Sequence, residues 1–121
     1  MNSYTYTEDD FTKFSERVSY WIDKFGITEY EYEISHEQLD NVCANTTYNC
    51  KSKLASFRLS KNITYYFCPQ FNIDKLALHE VIHLLLADFG YTICETKDFD
   101  SDLAIAQEHQ VVMRLIKAIG V

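Results

Sequence analysis

The chain has 121 residues and a formal net charge of −7, from 11 Lys and Arg against 18 Asp and Glu; 47% of it is hydrophobic, with only 3 Gly and 1 Pro. These values exclude disordered and low-complexity classes and fit one domain over residues 1–121, able to bury roughly two-thirds of its unfolded surface without a structural metal. The acidic balance, with scattered basic residues, excludes a phosphate-binding surface, so no nucleic-acid partner is expected.

The opening MNSYTYTEDD carries neither a cationic nor an apolar leader segment, and no run approaches the ~18 apolar residues that span a bilayer. A cytoplasmic location and no membrane partner are therefore expected. Thr7, followed by Glu8, Asp9 and Asp10, forms a helix-capping signal. Apolar residues then recur at Phe11, Phe14, Val18, Ile22 and Phe25, and Gly26 ends the helix. From Thr28 to Ile34 the period changes to two, with Tyr30, Tyr32 and Ile34 on one face and Glu29, Glu31 and Glu33 on the other.

Asn41 to Tyr48 and Lys53 to Ser60 read as two further strands joined by a turn, with Ala55, Phe57 and Leu59 on the apolar face. Ile63 to Cys68 adds a short fourth strand, and Pro69 stops it. The triplets at Asn45 and Asn62 fit the glycosylation pattern but lack an export signal, so they read as chance matches. Cys43, Cys50, Cys68 and Cys94 contain no CxxC pair and read as reduced thiols; a Cys43–Cys50 bridge across a hairpin is the weaker alternative. Asn72 or Asp74 caps a helix running to Phe89, with Gly90 as its stop. This helix is apolar on nearly every side, as a buried central helix is.

Its polar exceptions carry chemistry. Within LALHEVIHLLL, His79 and His83 stand at i and i+4, one turn apart on one face, so both imidazoles can reach one metal ion. Glu80 sits beside that ion, placed to take a proton from a metal-bound water. With 4 His and 9 Glu, a shuffled chain would show this pattern in roughly 0.7% of cases. Chance is therefore the weaker explanation, and a metal accounts for three polar groups on an apolar helix together.

A hydrolytic zinc site needs a third protein ligand and an open position. The metzincin extension is excluded, because its Gly and His positions hold Leu86 and Phe89. From Ser101 a terminal helix presents Ile105, Val112, Leu115, Ile116 and Ile119 on one face, and Glu108 and His109 fall on that stripe. Glu108 is the expected third ligand. His109 is the alternative ligand, or a group that hydrogen-bonds a ligand or stabilises an oxyanion. Glu95, Asp98, Asp100 and Asp102 are fallback ligands, and His36, which lacks a second His, reads as a surface residue.

In order and motifs, with LALHEVIHLLL followed by a helix carrying QEHQVVMRL, the chain resembles the minimal gluzincin-type metallopeptidases, including the SprT-like group and the small HExxH proteins of phages and prophages. The resemblance implies an α+β, zincin-like fold: an N-terminal helix, a small three- to four-stranded, mostly antiparallel sheet, an active-site helix and a C-terminal ligand helix. It implies zinc on His79, His83 and Glu108, Glu80 as the catalytic base, and a substrate cleft lined by Lys53–Ser60 or Ile63–Cys68. The SprT-like zinc ribbon and a basic tail are missing, which argues against DNA–protein crosslink repair.

The expected function is thus a zinc metallopeptidase acting on a peptide or protein substrate, with Tyr65, Tyr66, Tyr91 and His109 as candidates to hold the oxyanion. The alternative is a catalytically silent zincin-like zinc-binding protein, serving as a phage accessory or regulatory module.

Overall fold

The computed structural model describes residues 2–65, 72–87 and 101–120, the last stretch with side chains from 105 onward. Strand β1 (Asn2–Thr5) leads into helix α1 (Glu8–Lys24). Thr7 caps α1 as expected: the Asp10 N–H donates to Thr7 Oγ1 at 3.1 Å, and the Thr7 N–H donates to Asp10 Oδ2 at 2.9 Å. Phe14, Val18, Trp21 and Ile22 form its buried stripe. Gly26, at φ +67°, turns the chain out of the helix.

Strands β2 (Glu31–His36), β3 (Ala44–Asn49) and β4 (Leu54–Leu59) form one sheet in the order β2-β4-β3. The central place goes to the strand whose alternate residues Ala55, Phe57 and Leu59 are all buried. β4 is antiparallel to β3 but parallel to β2. β5 (Asn62–Tyr65) does not join this sheet; it pairs with β1, Tyr4 standing opposite Ile63, in a separate two-stranded ribbon. One mostly antiparallel sheet of three to four strands is therefore replaced by a mixed three-stranded sheet and a ribbon. Period-two patterning reports which face of a strand is buried, not which strand lies beside it.

Helix α2 (Ile73–Leu85) is capped by Asn72 rather than Asp74, Asn72 Oδ1 accepting from the Lys75 N–H at 3.0 Å. Asp74 is used differently. It accepts from Arg17 Nε at 2.7 Å and from Trp21 Nε1 at 2.8 Å, tying the first turn of α2 to α1. α2 is buried on most sides, by Leu76, Ala77, Leu78, Val81, Ile82 and Leu84 among others. Helix α3 (Ser101–Ile119) packs on α2 and buries Val112 and Ile116. The architecture is α+β, with three helices and two small sheets among the described residues. No helix among them is long and apolar enough to cross a membrane.

Two further expectations change. The His36 side chain is only 8% exposed, with Nδ1 3.1 Å from Glu8 Oε1 and Nε2 3.2 Å from the Ser60 carbonyl, so it is a packed joint rather than a surface residue. Its ring also stacks on Phe11. Cys43 and Cys50 flank the two ends of β3, and both are free thiols; the six residues of one extended strand hold them far apart. Pro69, Gly90, Cys68 and Cys94 lie outside the described residues, as does the expected end of α2 at Phe89.

Candidate metal centre

An apolar helix packed against α1, β3 and α3 gives its few polar side chains fixed surroundings. His79 and His83 leave α2 one turn apart on the side met by α3, and their rings lie 5.0 Å apart between centroids. From α3, His109 brings its ring to 5.3 Å from that of His79. Each of the three offers one ring nitrogen, and these nitrogens all lie within 4.8 Å of one another. Three nitrogens on one tetrahedral ion, at ~2.1 Å each, stand about 3.4 Å apart. Modest ring rotations therefore close the set onto an ion.

Glu108 goes elsewhere. Its Oε1 lies 2.9 Å from His83 Nδ1, and both side chains are 27% exposed. A carboxylate at that distance can accept an Nδ1 proton, and in that tautomer the Nε2 lone pair of His83 is free to serve as a ligand. Consecutive residues of α3 thus meet successive turns of α2, Glu108 on His83 and His109 on His79. Of the two expected arrangements, the atoms gather His109 with the helix histidines and set Glu108 behind one of them.

The donor set suits a transition metal. Burial, followed by the neighbouring His83 and His109, pushes the His79 imidazole down to about 4. Its lone pair is thereby kept unprotonated at neutral pH, as a ligand requires. Imidazole nitrogens are ligands for zinc, copper, iron and nickel alike. The three histidines can therefore hold a metal ion, and their chemistry alone leaves its identity open.

Glu80 is the buried member of the motif, only 6% exposed. Removal from water raises its carboxyl above the ordinary carboxylate range, while the Thr46 hydroxyl and the nearby His83 pull in the opposite direction. Thr46 Oγ1 lies 2.7 Å from Glu80 Oε1 and 3.2 Å from the Glu80 backbone carbonyl. Among the described residues no hydrogen bond reaches the other carboxyl oxygen, Oε2.

Thr46 is the residue that sequence reasoning missed. It stands opposite Phe57 in the sheet, so its side chain shares the helix-facing side with the core. A threonine on the apolar face of a strand was the available signal, hidden within a triplet read as a chance glycosylation match. Among the described strands the one packed against α2 is accordingly β3, not Lys53–Ser60, and positions 66–68 of the other expected segment lie outside the described residues. Tyr66, Tyr91 and the fallback ligands Glu95, Asp98 and Asp100, with the side chain of Asp102, lie outside what the structure describes; Tyr65 lies in β5.

Compared with known proteins, the chain matches no protein-family model, no curated protein and no solved structure. The chemistry of the centre has to be read from its own atoms.

Proposed function

We propose that this chain is a zinc-dependent hydrolase of the peptidase type on a zincin-like fold, with His79, His83 and His109 as ligands and Glu80 as proton acceptor. The observation that carries this reading is the convergence of three imidazole nitrogens, two from α2 and one from α3, within 4.8 Å of one another, with a buried carboxyl group beside His79 on α2. Zinc, when bound, supplies Lewis acidity and a water whose pKa falls toward ~7. The remaining chemistry belongs to the chain. Glu108 orients His83, and burial keeps Glu80 short of water, so that its carboxylate competes well for a proton and later gives it to a leaving amine.

The resemblance of LALHEVIHLLL to gluzincin-type peptidases supports the roles of His79, Glu80 and His83. A third ligand of His109 instead of Glu108 would set this chain apart from the ligand set that resemblance implied. Substrate is read only as a peptide or protein.

One observation favours the second reading, a metal-binding module without turnover: Glu80 is only 6% exposed, which gives substrate water little access to it. Peptide-library digestion followed by mass spectrometry separates the two. A hydrolase gives new termini that vanish with a chelator and return with zinc, whereas a silent module gives none.

A further inference from the structure

We infer that Thr46 is a positioning residue of this centre, its hydroxyl locking the Glu80 carboxyl group in place from the neighbouring strand. The inference rests on the reading of Glu80 as proton acceptor. A Glu side chain has three free torsions, and holding them in one arrangement carries an entropic cost that a fixed partner offsets. Among the described residues, the one donor from outside its own helix that reaches the Glu80 carboxyl group is the Thr46 hydroxyl. The 2.7 Å contact is the usual length of a well-formed hydrogen bond from a hydroxyl to a carboxyl oxygen.

The strand makes this hydroxyl unusually well directed. Thr is β-branched and stiff about χ1, and Thr46 is half-buried, so water competes weakly for its proton. Its register places it on the helix-facing side, while Thr47 lies on the opposite side and accepts from Arg58 at 3.1 Å. The same oxygen lies 3.2 Å from the Glu80 carbonyl, so its single proton is held mainly by the nearer Oε1 and shared at most weakly with the helix backbone. Engaging Oε1 alone leaves Oε2 as the oxygen that exchanges the proton.

The test compares Thr46→Val, which keeps the shape and loses the hydroxyl, with Thr46→Ser, which restores it, and with Thr47→Val as the opposite-face control. In metal-free protein labelled with 13C at the Glu carboxyl carbons, the Glu80 resonance is the one lost in Glu80→Gln. It should be displaced in T46V and return in T46S, and T47V should leave it unmoved. With zinc restored, T46V should lose about 10- to 100-fold in kcat at unchanged KM and zinc content, and T46S should recover most of it.

A resonance unmoved in T46V overturns the inference, as does wild-type turnover by T46V. If Glu80→Gln cleaves like the wild type, or the wild type does not cleave at all, the peptidase reading fails instead. The role of Thr46 is then decided by the resonance alone. Should T46V not fold, Thr46→Ala carries the same comparison.

Discussion

On the proposed reading Glu108 and His109, adjacent in the chain, do different jobs, and the difference is measurable. Removing an orienting carboxylate costs metal affinity without removing a ligand, typically 10- to 100-fold. Glu108→Ala should therefore bind zinc about 10- to 100-fold more weakly in competition with a chromophoric chelator, while still reaching one ion per chain at saturation. If Glu108→Ala instead lost all binding, the carboxylate would be a ligand.

Protonation gives a second handle at the residue scale. The Glu80 carboxyl lies above its ordinary value, so the folded state holds that proton more tightly than the unfolded state does. Its contribution to stability is present at low pH and is lost as pH rises beyond the usual carboxylate range. Metal-free Glu80→Gln should consequently be more stable than the wild type at neutral pH, with the gain shrinking toward pH 4, as urea denaturation will show. A pH-independent difference would mean that burial does not govern this carboxyl. His79 works in the opposite sense: its imidazole is depressed to about 4, so stability is lost as pH falls from ~6.5 toward that value.

At the scale of elements, the geometry of α2 depends on how it is tethered. Asp74 gathers Arg17 and Trp21 onto the first turn of the helix, and the guanidinium in turn lies 4.0 Å from the centre of the Tyr20 ring. Asp74→Ala leaves two donors without their acceptor and should cost about 2 kcal/mol in denaturant titrations. A loss below ~0.5 kcal/mol would make the cluster a surface pair with no structural weight.

Helices were the legible part of this fold. The stop at Gly26, the cap at Thr7 and the apolar stripe of α1 all follow from local chemistry written within a few residues of one another. Strand faces were largely legible: Ala55, Phe57 and Leu59 are buried where period two puts them, and Tyr32 and Ile34 share their side by register, although Tyr32 stays exposed. Pairing was not, because the neighbours of β4 and β5 are chosen by contacts made far along the chain. β1 was overlooked although Tyr4 and Tyr6 alternate with Ser3, Thr5 and Thr7, and the parallel β2–β4 pair has no local signature. In the centre itself the helix motif was evident from spacing, whereas the placement of Glu108 on His83 and of His109 beside His79 depends on the crossing of α3 over α2. His36 was misjudged for the same reason, since both of its partners come from distant segments.

Over the whole molecule, a metal in this centre would join α2 to α3, and so link the terminal helix to the rest of the core. An ion that binds only the folded state adds ~2.7 kcal/mol at a hundred times its Kd. Zinc would thus act on stability as well as on chemistry, even though a chain of this length can fold without it. All of this depends on one ion held by three histidines. The direct test is elemental analysis of the wild type and His109→Ala, purified without chelator and then equilibrated with limiting zinc. Near one zinc per wild-type chain and little in His109→Ala is the predicted result; no metal in the wild type, or a full complement in His109→Ala, would contradict it.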